Sequence, residues 1–179
     1  MGMKNSTQNI LHHWREAVPN DRLAHLIRDT ERAFKKALQT RLAEHDVPFG
    51  HWTFLRILWE KDGLTQKELS ERAGVMEPTT FAAMKAMEAN GYIERRQLQT
   101  NRKNIYVYLT LAGRALKKKL VPLAEDTNRI SIVGLSVGDL ATARRVMLTM
   151  IENLAEDDDR ASAKTRTPVV RSKPGVVTP

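Results

Sequence analysis

Two short stretches carry the side chains best suited to chemistry with a polyanion. Glu77, Pro78, Thr79, Thr80 and Phe81 open a helical run, and Lys85 follows two turns along. The hydroxyls of Thr79 and Thr80 can meet base edges or phosphates, and a threonine methyl can touch thymine. Glu77 can accept from cytosine, while Lys85 suits a phosphate. Further on, residues 95–103 hold Arg95, Arg96, Arg102 and Lys103 and no acid, a local charge of +4. A cationic tip of that kind suits a minor groove and its flanking phosphates. Phe81, Met84 and Met87 read as core residues before they read as base readers, with Phe81 open to either role.

The elements that must position these groups are legible around them. Thr65 to Ala73 reads as a short helix with Thr65 as N-cap and Glu68 three residues on, a capping box, and Thr65 and Gln66 at its start are further candidates for DNA contact. Gly74 stops that helix as a C′ residue. A second helix starts near Pro78, whose missing N–H costs nothing in a first turn, and ends at Asn90-Gly91. The period then changes to two. Tyr92 to Arg96 reads as a short strand, and Ile105, Val107 and Leu109 alternate with Tyr106 and Tyr108. Gln97 to Asn104 lies between them as an extended polar hairpin tip.

Long helices flank this unit. Leu23, Leu26, Ile27, Phe34, Leu38 and Leu42 recur at three- and four-residue spacing from Asp21 to about His45. Pro48 and Gly50 break the chain, and a helix from about His51 to Lys61 follows. Thr110 caps a helix toward Ile132, and Gly134 interrupts it. Ser136 and Asp139 open a last helix reaching about Ala155, with Leu140, Val146, Met147, Met150, Ile151 and Leu154 along it. The expected class is mainly α with a small β-hairpin, a winged helix-turn-helix between long N- and C-terminal helices. The expected division is an arm at 1–20, a domain at 21–156 and a disordered basic tail at 157–179. Within the domain, the flanking helices occupy 21–47 and 111–156, and 51–110 is the DNA-binding region.

Composition narrows the class. The chain has 179 residues, a net charge of +8 and no cysteine. Thiolate metal sites, disulfides and thiol redox sensing are therefore excluded. Residues 160–179 contribute five cations and no acid, so the charge falls to +3 without them. Local placement therefore argues for DNA more strongly than the total does. The first twenty residues contain no apolar signal core, and no apolar run approaches the ~20 residues needed to span a bilayer. A cytoplasmic protein without membrane contact is expected. All five histidines precede the helical pair, and none has zinc-ligand spacing, so no metal and no cofactor are expected.

In this order the residues resemble the MarR family of bacterial regulators. Leu64-Thr65-Gln66-Lys67-Glu68-Leu69-Ser70-Glu71-Arg72-Ala73-Gly74 is similar to its first helix-turn-helix element. The stretch from Thr79-Thr80 to Asn90-Gly91-Tyr92-Ile93-Glu94-Arg95 resembles its recognition helix and first wing strand. Asn101-Arg102-Lys103, with Val107 to Gly113, resembles the wing and its exit. This chain has Asn101 where the family usually has Asp, so an Asn–Arg hydrogen bond replaces at most part of the usual ion pair. The resemblance, over about residues 20–156, implies a homodimer formed through the helices of 21–47 and 111–156 as a dimerisation region, on a pseudo-palindromic operator. It also implies release by a small, often aromatic, acid. His51 and Trp52 stand where the family's pocket often opens, with Arg56 one turn on and His25 and Arg28 on the first helix as anion partners. The expected effector is an aromatic or heteroaromatic carboxylate or its thioester. The bland alternatives are a core Trp52, a capping His51 and a solvated Arg28.

Rival classes fare less well. The chain has no Walker loop, no G-x-G-x-x-G, no G-x-S-x-G and no paired acid–base motif, which argues against an enzyme. A winged helix used only for protein interaction is disfavoured by the basic wing. An architectural DNA-binding protein without an effector remains open at this level.

Overall fold

The structure, a computed structural model, describes residues 8, 10–12, 14–15, 23–99 and 101–165, with 98, 101–103, 164 and 165 described for their backbone alone. The chain divides into two units, residues 1–131 and 132–179.

The first unit is built on α1 (Leu23–Ala43), α2 (Phe49–Glu60), α3 (Gln66–Ala73), α4 (Glu77–Ala89) and α5 (Leu111–Ser131). Its antiparallel sheet has three strands, β1 (Leu64–Thr65), β2 (Ile93–Leu98) and β3 (Asn101–Leu109), in the order β1-β3-β2. The hairpin of the sequence reading thus gains a third strand, because Leu64 and Thr65 pair with Val107 and Tyr106 just before Thr65 caps α3. The hairpin is also longer than its polar composition suggests. Leu98 pairs with Asn101, so the stretch read as a loop is largely strand, with a register shift beside Gln97.

α2 is the central helix. His51, Trp52, Phe54, Leu55, Ile57 and Leu58 are all buried, as expected of a helix apolar on nearly every side. It begins at Pro48, so Gly50 lies inside the helix and does not end one. The break comes earlier, at Asp46, whose φ of +56° gives the left-handed turn that a short polar side chain tolerates. At the far end Asp62 knits three elements together. Its Oδ1 accepts from the N–H groups of Gly63 (3.0 Å) and Leu109 (2.9 Å), and its Oδ2 pairs with Arg114 at 2.5 Å.

The core runs from Leu42 through Leu55, Leu58 and Leu64 to Leu69, Met84, Met87, Ile93, Val107 and Leu120. Thr110 caps α5 as expected, accepting from Gly113 N–H at 3.1 Å. A Cβ on Gly113 would lie 2.0 Å from the Tyr92 carbonyl oxygen, so only glycine lets α5 pass so close to the end of the α4 turn. Trp59 Nε1–H donates to the Gly113 carbonyl at 3.0 Å on the same helix turn.

α1 is anchored mainly at its C-terminal end, through buried Leu38 and Leu42 and an Arg41–Asp126 pair at 3.8 Å. Leu23, Leu26, Ile27 and Phe34 on its earlier turns are exposed. Among residues 8–15 the described positions are helical, and Trp14 donates to Asp29 at 3.2 Å.

The second unit holds α6 (Val137–Thr165), opened by the expected Ser136–Asp139 capping box. This helix continues ten residues past Ala155, correcting the expected boundary. No Gly or Pro interrupts residues 156–165, and Arg160 pairs with Glu156 at i,i+4 (2.9 Å). The remaining tail, from residue 166, lies outside the described residues. Met147, Leu148, Ile151 and Leu154 on α6 are exposed.

Candidate nucleic-acid interface

α3 and α4 form the helical pair. Glu68 N–H donates to Thr65 Oγ1 (3.2 Å), while the Glu68 carboxylate accepts from Thr65 N–H (2.8 Å) and Thr65 O–H (2.7 Å). These bonds hold the Glu68 carboxyl below the ordinary carboxylate range. Gly74 at φ +63° turns the chain, and Val75 N–H closes the turn on the Ser70 carbonyl at 3.1 Å. Thr65 is therefore committed to capping. Gln66 is half-buried, and its Nε2 is buried with no hydrogen-bond partner.

Thr80 departs from its expected role. It is fully buried, and its Oγ1 lies 2.8 Å from Ser70 Oγ, itself 3.0 Å from the Gln66 carbonyl. Its hydroxyl fixes α4 against α3 and is withheld from any base edge. Glu77, Pro78, Thr79 and Lys85 are exposed as expected. Met84 and Met87 are core residues, whereas Phe81 is 53 % exposed and its ring lies 5.9 Å from the Arg95 guanidinium.

The wing uses its arginines unequally. Arg95 grips Glu88 of α4 through Nε (2.9 Å) and Nη2 (2.5 Å), and its backbone N–H adds a third bond at 3.2 Å. The Arg95 side-chain hydrogen bond holds the Glu88 carboxyl below its ordinary value, with desolvation opposing it. Arg95 therefore joins helix to wing and has little charge left for phosphate. Arg96 is exposed, pairs with Glu94 and lies 5.3 Å over the Tyr108 ring. Asn101, Arg102 and Lys103 lie in β3 next to the turn, and only their backbone is described.

A separate cleft of about 330 Å³ opens between α1, α2 and α5. Phe34, Phe49 and Trp52 supply aromatic walls, and Glu31, Lys35, Arg56 and Asn128 supply polar groups. Trp52 and Arg56, expected in a pocket, do line it. His25 and Arg28 do not; both are exposed, and Arg28 approaches Asp29 at 4.0 Å. They sit too early on α1, and residues 31, 34, 35 and 38 are the turns that face the cleft. His51 is buried and does not line it; burial lowers its pKa, and its Nδ1 has no partner. Lys35, whose Nζ lies 5.2 Å from the Phe49 ring centre, was missed by the sequence reading. No local spacing marks it, because its place depends on α1 lying beside α2 and α5. Behind the cleft, Trp52 meets Trp59 edge-on at 5.7 Å, and Trp59 reaches Gly113.

Among the described residues no group of His, Asp or Glu is arranged to hold a metal ion, and no helix is long and apolar enough to cross a membrane.

Comparison with known proteins agrees with this architecture. The MarR family model matches residues 50–105. The HTH-type transcriptional regulator TtmR of Methylorubrum extorquens is 26% identical over 140 residues, covering 78% of this chain and 69% of that protein. A putative MarR family regulator from Listeria monocytogenes, solved with a 26-mer DNA, superposes with a TM-score of 0.68 at 23% identity, covering 84% and 98% of the two chains. Bordetella bronchiseptica BpsR, solved to explain regulation of its DNA binding by 6-hydroxynicotinic acid, gives 0.67 at 18% identity, covering 73% and 98%.

Proposed function

We propose that this chain is a DNA-binding transcription regulator of the MarR family and not an enzyme, and that it acts as a cytoplasmic homodimeric repressor. An aromatic or heteroaromatic carboxylate, or its thioester, releases it from a pseudo-palindromic operator. The cleft carries the ligand reading, because aromatic walls and two cations, Lys35 and Arg56, meet there. Stacking on Phe or Trp and pairing of a carboxylate with Arg are the interactions such an acid requires. The regulation of BpsR by a heteroaromatic acid lends support by likeness of fold.

On the DNA side, Glu77, Pro78, Thr79 and Lys85 meet the major groove, and Arg96, Asn101, Arg102 and Lys103 supply the wing contact. Arg95 positions the wing. For the dimer, support comes from the exposed apolar residues of α1 and, separately, of α6. Apolar faces of this kind on single chains mark association surfaces. The proposed division follows: 21–47 and 111–156 for dimerisation, 51–110 for DNA.

Ligand binding is tested by calorimetric titration of a panel of aromatic carboxylates into the wild-type chain and Arg56→Ala. A compound that binds the wild type and loses about tenfold or more in the variant supports the site. Equal affinity in both places the ligand elsewhere. Sedimentation equilibrium tests the dimer, and a monomer at micromolar concentration would refute it.

A further inference from the structure

We infer that α4 reads its operator mainly through the 5-methyl groups of thymine, contacted by Ala82 and Ala86, and not through a set of hydrogen bonds to base edges. The inference rests on the reading above that α4 enters the major groove.

Five side chains of α4 can hydrogen-bond: Glu77, Thr79, Thr80, Lys85 and Glu88. Two are already committed. Thr80 is buried against Ser70, and Glu88 is held by Arg95. Glu77 sits in the first turn as an anion, where phosphates repel it from all but a cytosine amino group. Thr79 and Lys85 alone remain, one short and one long.

The face opposite the core is otherwise made of small groups. Thr80, Met84 and Met87 point inward, so a repeat of 3.6 residues per turn puts Pro78, Ala82, Lys85 and Ala89 on the outward line, with Ala86 beside it. Ala82 and Ala86 are both exposed and stand one turn apart. Side chains of one carbon let the helix approach the groove floor closely. What they then present is a methyl, and the major-groove feature complementary to a methyl is the C5-methyl of thymine. Phe81, the large apolar alternative on α4, is turned toward Arg95.

The test uses the full chain. Duplexes are selected from a randomised pool, and each thymine of the enriched half-site is replaced singly by uracil, which removes the methyl and leaves pairing intact. At least one uracil per half-site should weaken binding by about fourfold, the equivalent of one buried methylene. Uracil outside the half-sites should have no effect. In Ala82→Gly or Ala86→Gly, with helicity checked by circular dichroism, the thymine-to-uracil ratio at the matching position should fall toward one. Failure to enrich any duplex would overturn the major-groove reading and this inference together. Enrichment with indifference to every uracil would overturn the inference alone. Uracil sensitivity that survives in both glycine variants would remove Ala82 and Ala86 as the reading residues.

Discussion

Replacing Thr80 separates a residue that reads DNA from one that holds the reader in place. Thr80→Val keeps the volume and branching of the side chain and removes the hydroxyl that meets Ser70 at 2.8 Å. Ser70 retains the Gln66 carbonyl as acceptor, so no donor is orphaned. The loss should therefore equal one ordinary hydrogen bond, about 1 kcal/mol. In a chain of this size that lowers Tm by about 2–4 °C. Thr80→Ala also removes a fully buried methyl, which adds about 1 kcal/mol and brings the fall to about 4–8 °C. Base preference should not change in either variant, because the side chain has no surface to offer. Thermal unfolding and a randomised-site selection, run on both variants, check the two halves. Unaltered Tm with altered preference at one base pair would refute the burial argument and return Thr80 to the groove.

Three more consequences can be checked. Gly113→Ala forces a Cβ against the Tyr92 carbonyl; it should cost several kcal/mol, beyond the ~1–3 kcal/mol of an overpacked side chain because the obstacle is backbone, and a wild-type Tm would show that α5 moves freely there. His51 has a pKa lowered from 6.5 by burial, so the unfolded chain binds its proton first as pH falls. Its contribution is then complete above about pH 6.5 and is lost between that value and the lower folded one, so Tm should drop from pH 7.5 to 5.5 by less in His51→Gln than in the wild type; parallel profiles would contradict this. Glu88 is lowered from 4.5, so the Arg95 tie is present above that pH and is lost as pH falls through the lower folded value. Glu88→Gln should flatten the stability profile below about pH 4.5 and raise the protease sensitivity of the wing near neutrality, and unchanged cleavage would remove Arg95 from its positioning role.

Local signals made the helical pair legible. The Thr65–Glu68 box and the Gly74 turn each act within four residues, and both formed as read. β1 was hidden because its two residues pair with a strand more than forty positions away and gain meaning only after β3 exists. The wing's length was misjudged for a related reason, since its polar residues face solvent from a paired strand as readily as from a loop. Thr80 was misread because a hydroxyl in a first helical turn suits either DNA or a neighbouring helix, and only the packing of α3 decides. Trp52 was singled out from the family resemblance and Arg56 from its place one turn on, and both line the cleft. Lys35 and Asn128 required knowing that α1 and α5 converge beside α2, which no local pattern states.

The central claim is a DNA-bound dimer released by a small acid. Its most direct measurement is fluorescence anisotropy of the full chain on DNA from upstream of its own gene, with and without a panel of aromatic carboxylates. The account predicts saturation at two chains per site, affinity falling steeply with salt, and release by at least one compound in the panel. Binding no tighter than to a scrambled duplex, or saturation at one chain per site, would contradict it.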